Sequence, residues 1–282
     1  MTKSEQAEDA LARLNETRER LLVEIRKGII GQDEVIEQLL VTLLARGHCL
    51  LTGIPGLGKT LLVKTLAKCL SLSFKRIQFT PDLMPADVVG SEVVDEDPAT
   101  GKRSFRFSAG PIFANVVLAD EINRAPPKVQ AALLEAMEER QVTIAGETHS
   151  LDSPFMVLAT QNPVELHGTY PLAEAQLDRF ALKIDISHPS RDEEKMIVRR
   201  VASTDPQPIE AVATVEQISV ARAEVAAIHL DEKVLDYVVE LAFATREPGA
   251  YGLEDLEDLI DFGTSPRATI FLTRTARARA YL

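Results

Sequence analysis

The sequence predicts an α/β protein with a parallel five-stranded sheet, followed by a small all-helical module. Three observations carry this reading. Short, almost continuously apolar runs alternate with helical patterns as far as residue 188; residues 53–60, Gly-Ile-Pro-Gly-Leu-Gly-Lys-Thr, join one such run to a helical pattern; and from residue 189 to 282 only helical patterns remain. Apolar runs of this kind are strands buried on both faces, the habit of parallel sheets.

Residues 5–27 carry Leu11, Leu14, Leu21, Leu22 and Ile25 at helical spacing, ended by Gly28 and Gly31. After a small apolar turn, Asp33 is expected to cap a second helix, in which Val35, Ile36, Leu39, Leu40, Leu43 and Leu44 follow a 3.6-residue period up to Gly47. Cys49, Leu50 and Leu51 make the first strand, and Leu61, Leu62, Leu66 and Leu70 the helix after the glycine-rich stretch. Further strands are expected at 74–80, 115–120, 156–160 and 181–186. Two hairpins are expected to project from the sheet. One pairs 91–94 with 104–107 across the turn-rich 97–101; the other runs from 141–144 through 145–147 toward 149–151, after a helix opened by Pro126 and Pro127. Composition shifts at Pro189, which places a domain boundary between 1–188 and 189–282. The second part has helical patterns near 192–201, 215–228, 231–245 and 265–281 and a linker at 204–208.

Composition narrows the function. No apolar run approaches the roughly 18 residues that span a bilayer, and the charged N-terminus lacks a secretory h-region, so membrane insertion is not expected and the cytoplasm is the expected compartment. A net charge of −12 repels nucleic-acid backbones overall, and the absence of Trp leaves few platforms for stacked bases, so nucleic acid is a secondary hypothesis. Cys49 and Cys69 lack C-x-x-C spacing and read as buried free thiols.

The spacing G-x-x-x-x-G-K-T lets a loop turn its backbone N–H groups inward at the start of a helix, whose N-terminus adds partial positive charge. Gly53, Pro55, Gly56, Leu57, Gly58, Lys59, Thr60 and Leu61 are therefore candidates for binding a nucleotide's phosphates, with Lys59 reaching the β- and γ-phosphates and Thr60 holding Mg²⁺. The run ending in Asp120 and Glu121 delivers two carboxylates to the C-terminal end of a strand, where ligands of open α/β sheets bind. Asp120 would act on the Mg²⁺ side and Glu121 would polarise the attacking water. Taken alone, the pair reads equally as strand-end acids facing solvent. Asn162, before Pro163, is by itself a turn residue; at the tip of a strand beside the phosphate-loop strand it would face the γ-phosphate or the water. Arg179, before the last strand, either stabilises transition-state charge or pairs with Asp178 or a nearby acid. Arg267 lies in the first turn of a helix, where the dipole disfavours a cation and invites an anionic partner.

The constellation resembles the AAA+ ATPases, and within them the MoxR group. The resemblance rests on residues 53–60, 117–127, 159–163, 168–180 (Gly-Thr-Tyr-Pro-Leu running to Asp-Arg-Phe) and 265–268, and it extends over nearly the whole chain. It implies a three-layer core with a helical lid, Mg²⁺-dependent ATP hydrolysis, and roles beyond what spacing establishes. Asn162 resembles sensor 1, Arg179 the arginine finger that enters a neighbour's site, and Arg267 the sensor 2 that contacts nucleotide from the lid. The hairpins resemble the helix-2 and pre-sensor-1 inserts. The segment 28–32, with Ile30 and Gly31, resembles the one that packs against adenine. The resemblance further implies a ring, most often a hexamer, a protein client and a partner with a von Willebrand A-type domain. It implies too that a lid ending at Leu282 is incomplete. His167 stands where an acidic or small residue is expected.

The leading expectation is a chaperone-like remodelling ATPase acting on a protein complex or a cofactor-insertion target. The alternative is a nucleic-acid motor or a magnesium-chelatase-like subunit, since these share the inserts. A nucleotide-dependent scaffold is disfavoured by Lys59, Asp120, Glu121 and Asn162, and a GTPase by the lack of an Asn-Lys-x-Asp motif.

Overall fold

The computed structural model of the chain describes residues 3–96, 103–161, 169–202 and 207–282, with residues 3–15 described by their backbone alone. The elements run α1 (Lys3–Gly28), α2 (Asp33–Leu44), β1 (Cys49–Thr52), α3 (Lys59–Cys69), β2 (Phe74–Gln78), α4 (Pro85–Val89), β3 (Gly90–Glu96), β4 (Arg103–Ala109) and β5 (Val116–Asp120). After a 3₁₀ turn at Ile122–Arg124 come α5 (Pro127–Glu139), β6 (Gln141–Ile144), β7 (Glu147–Ser150), β8 (Met156–Gln161), α6 (Glu174–Leu177) and β9 (Leu182–Asp185). The rest of the described chain is helical: α7 (Arg191–Ala202), α8 (Val215–Ala227), α9 (Glu232–Arg246) and α10 (Pro266–Tyr281), with 3₁₀ turns at Pro248–Tyr251 and Glu254–Leu259.

Five strands form one sheet in the order β2-β5-β8-β1-β9, with parallel pairing throughout. Alternate residues of the central strands serve opposite faces, as the two-residue strand period requires. Cys49, Leu51, Val116, Leu118, Met156 and Leu158 join a core with α1, α2 and α3. Leu50, Val117, Ala119, Val157 and Ala159 join a second core with α5. Helices therefore cover both faces, giving three layers. The apolar α2 positions expected from their period are all buried, whereas Leu61 faces outward. The edge strands β2 and β9 carry exposed residues and read as only half apolar.

Both hairpins form, β3 with β4 and β6 with β7, as separate two-stranded sheets. They meet where the Phe107 ring stacks on His149 with centroids 3.9 Å apart. The turn expected at 97–101 and part of the linker at 204–208 lie outside the described residues. Both cysteines are buried free thiols. Among the described residues no helix is long and apolar enough to cross a membrane.

Asp33 does not cap α2. Gln32 takes the N-cap position in the left-handed conformation, φ 61° and ψ 26°, with no side-chain cap. Asp33 opens the helix proper, and its carboxylate accepts hydrogen bonds from Arg26 Nε and Nη2 at 3.1 and 2.9 Å. The acid thus still sits favourably in the first turn, while the cap geometry is lost.

His48 pins the sheet to α5. Its Nδ1 accepts from Val157 N at 2.9 Å, so Nε2 carries the proton and donates to Met137 O at 3.1 Å. Burial pulls its pKa from the ordinary 6.5 to about 4; the Met137 bond opposes this, and Arg140 and Arg222 add to it. The unfolded chain therefore takes up this proton first, and stability held above pH 6.5 is lost as pH falls toward 4. We expect His48 to account for about 3 kcal/mol of acid destabilisation over that window. Urea unfolding at a series of pH values should give His48→Gln a shallower loss than the parent between pH 6.5 and 4; equal slopes would contradict it.

Candidate functional site

The segment between β1 and α3 is a loop built on glycines in conformations that other residues avoid. Gly56 and Gly58 have φ of 89° and 75°. A Cβ at either would meet nothing within 4 Å, so the loop curls around open space. The N-terminus of α3 points into this space with no side chain capping it, which leaves its first N–H groups to serve an anion. Lys59 Nζ, half-buried, donates to Gly53 O at 2.5 Å. Burial holds this ammonium below its ordinary pKa, while Asp120 and Glu121 work in the opposite direction. The lysine is thus partly desolvated and drawn toward negative charge. A polyphosphate fits such a cradle.

Asp120 ends β5 on the same edge of the sheet, because β5 pairs in parallel with β8 and β8 with β1. Its Oδ1 accepts from Thr160 Oγ1 at 2.6 Å and its Oδ2 from Arg76 Nε at 2.9 Å. Glu121 follows with φ 58°, a left-handed backbone unusual for a residue with a side chain. That conformation is held by Glu121 N donating to Thr160 Oγ1 at 2.8 Å. Its Oε2 accepts from Gln78 Nε2 at 2.8 Å and Arg124 Nη1 at 3.0 Å. One hydroxyl therefore positions both acids. The hard oxygen donors of Thr60 and Asp120 suit Mg²⁺, which prefers few protein ligands beside phosphate oxygens. Among the described residues no group of three or more His, Cys, Asp or Glu side chains is placed to hold a metal ion.

Thr160, Arg76, Gln78 and Arg124 are the partners that sequence reasoning missed. Arg76 and Gln78 are two apart on β2, so they share a face, and this alternation was the available signal. Its meaning depends on β2 being the neighbour of β5.

The segment before α2 lies against the loop, with Gln32 Nε2 donating to Leu57 O at 3.4 Å. At Gly31, φ 68°, a Cβ would collide with the Glu193 carboxylate of α7. A cavity of about 460 Å³ opens beside this segment, lined by Ile30, Gln32, Gln38, Lys183, His188 and Glu193 among others and by none of the loop residues 53–60.

The two arginines lie elsewhere. Ala181 N donates to His48 O, and Leu182 pairs with Cys49, so Arg179 stands at the N-terminal edge of the sheet. The phosphate loop leaves the opposite edge, a strand's length away, roughly 10 Å or more. Arg179 Nη1 donates to Leu134 O at 2.7 Å, and Nη2 lies 3.3 Å from Glu138 Oε2. Arg267 also pairs with Glu138, and its Nε lies 4.0 Å from Asp178 Oδ2. Ser265 Oγ donates to Asp178 Oδ1 at 2.5 Å and caps α10. Within one chain Arg267 is brought to Arg179, because the cap of its helix, Ser265, meets Asp178 at the end of α6. The anionic partner that its helix-start position invited is Glu138. Asn162 and His167 lie outside the described residues.

Residues 48–182 match the family described as ATPase family associated with various cellular activities (AAA). The chain is 45% identical over 273 residues to Chaperone MoxR1 of Mycobacterium tuberculosis, covering 96% of this chain and 71% of that protein. It is 34% identical to Protein MoxR of Methylorubrum extorquens, covering 92% and 78%. A crystal structure of a protein from Cytophaga hutchinsonii assigned as an ATPase superimposes with a TM-score of 0.90 at 43% identity, covering 99% of this chain and 84% of that one.

Because Thr160 Oγ1 both donates to Asp120 and accepts from Glu121 N, Thr160→Val should leave two polar groups unpaired at the strand ends. We expect a loss of about 1–3 kcal/mol in urea unfolding together with reduced turnover. A variant as stable and active as the parent would show that the hydroxyl holds neither acid.

Proposed function

This chain belongs to the MoxR group of AAA+ ATPases, and from that premise we propose how its residues carry out the hydrolysis and what the hydrolysis serves. Nucleotide binding and ATPase activity come with the family. The observation that carries the residue assignment is the meeting, at one edge of the sheet, of an open glycine loop with two acids positioned by one threonine.

In this reading ATP is the substrate. The loop N–H groups and the α3 N-terminus bind its phosphates, and Lys59 leaves Gly53 O for the β- and γ-phosphate oxygens. Thr60, with Asp120 acting through the water shell, would hold Mg²⁺, which when bound neutralises charge on the β- and γ-phosphate oxygens. Glu121 accepts a proton from the water whose oxygen attacks the γ-phosphorus, and the bond to the bridging oxygen of ADP breaks. Asn162 orients that water. Ile30 and Gly31 lie against the base.

Arg179 completes the site of a neighbouring copy. Support comes from its distance from its own loop and from its partial exposure beside Glu138. Arg267, paired with the same glutamate, would enter with it. A ring follows, most simply a hexamer, with residues 1–188 as core and 189–282 as lid. Chaperone-like remodelling of a protein complex or of a cofactor-insertion target is the proposed output, with a von Willebrand A-type protein as partner and the cytoplasm as compartment.

Two measurements test this. Lys59→Ala should bind ATP at least tenfold more weakly, whereas Glu121→Gln should bind it normally and lose turnover; normal turnover in purified Glu121→Gln would remove that residue from its role. Arg179→Ala alone should be inactive yet regain activity when mixed with Lys59→Ala, each supplying the half the other lacks. Mixed rings that form and stay inactive would contradict action in trans.

A further inference from the structure

Four arginines from distant parts of the sequence gather where α2 ends. Arg222 of α8 is only 3% exposed, and its Nε donates to Leu43 O at 2.8 Å. Arg140, just past α5, donates from Nη2 to Arg46 O at 3.2 Å. Arg46 follows α2 itself, and Arg274 lies on α10, from which its charge acts on Arg140. None of the four lies in an ion pair among the described residues. Their mutual repulsion adds to burial as a cause of lowered pKa: burial and then Arg46 and Arg274 act on Arg140, and burial and then Arg140 and Arg46 bring Arg222 down to about 10, where it is still charged at neutral pH.

The simplest explanation is capping, since the last carbonyls of a helix attract cations. It accounts for too little. A guanidinium carries five N–H donors, and the backbone here takes one from Arg222, at Leu43 O of α2, and one from Arg140, at Arg46 O just past it. Arg222 Nη2 is fully buried with no hydrogen-bond partner in the protein. Arg46 and Arg140 also occupy left-handed backbone, φ 58° and 54°, at helix ends where glycine is the relaxed choice. Strain, repulsion and an unmet buried donor converge on one spot, and a single anion would relieve the last two.

We propose that Arg46, Arg140, Arg222 and Arg274 form an oxyanion site at the seam between α2 and the helices α8 and α10, taking a phosphate group. The planar forks of guanidinium match the paired oxygens of phosphate, which a monatomic chloride does not have. The site is separate from the phosphate loop, which leaves the other end of β1. An anion seated there ties α2 and the end of α5 to α8 and α10, and so sets how firmly the helical part holds the sheet.

The test is thermal unfolding of the full chain carrying Lys59→Ala, which weakens phosphate binding at the loop, in inorganic phosphate against chloride at equal ionic strength. We expect a saturable rise in Tm specific to phosphate. Arg140→Gln should lower the apparent phosphate affinity at least tenfold. Arg222→Met should do the same and should be no less stable than its parent in chloride, which a purely structural cap would not allow. Should Arg222→Met fail to fold, Arg140→Gln and Arg46→Gln carry the measurement. A rise no greater than that in chloride, or one retained in Arg140→Gln and Arg46→Gln, overturns the site. Loss of self-assembly by these variants with the phosphate response intact would assign the cluster to a neighbour's carboxylate and equally overturn it.

Discussion

The parallel pairing of β1 with β8, and of β8 with β5, is the constraint on which the rest of the molecule depends. In a parallel sheet every strand ends on the same side. The loop after Thr52 and the acid at Asp120 therefore share an edge without any contact having to bring them there. Thr160, near the end of the strand between them, is the natural bridge, and its single hydroxyl fixes both acids. An antiparallel β5 would have carried Asp120 to the opposite edge, however good the loop.

The same pairing separates Arg179 from the phosphate loop. β9 is parallel to β1, so whatever precedes β9 lies at the N-terminal edge, and Arg179 is therefore kept from its own phosphate loop. Glu138 holds it, together with Arg267, in a compact ion cluster. That cluster is partly exposed, where ion pairs contribute little to stability. Its retention of two arginines around one glutamate is better understood as keeping cations ready for another anion than as a device that stabilises the fold. In the proposed shared site, sheet topology would account for both halves: one edge would bind phosphate and the other present arginine to a neighbour.

Much of this was legible from the residues. The strands β1, β5 and β8 announce themselves as unbroken apolar runs because both faces are covered, and the hairpins because alternation and turn residues coincide. The loop at 53–60 was legible because its glycines are demanded by backbone geometry. What escaped depended on neighbours. Gln32 in a left-handed conformation displaces Asp33 from the cap, and no propensity rule anticipates a glutamine there. Arg76 and Gln78 become partners of Asp120 and Glu121 only once β2 is known to be the edge strand beside β5. The position of Arg267 needed the cap of α10 to meet the end of α6, a contact that spans 87 residues between Ser265 and Asp178.

Net charge offers the clearest case of a global quantity that hides a local one. A charge of −12 weighs against long polyanions, because a polymer samples the field of a whole surface. A small anion does not. It responds to the few charges nearby, and near the end of α2 those are arginines drawn from positions 46, 140, 222 and 274, which act on one another. No window of sequence contains two of them, so no count of basic residues along the chain would single them out. They are assembled by the packing that seats α8 and α10 against α2, around Val41, Ala45, Val225 and Ala278. The cost of bringing like charges together is thus borne by the same apolar contacts that attach the helical part to the sheet. Any anion that reduces the repulsion tightens that attachment, and any motion that separates the helices relieves it.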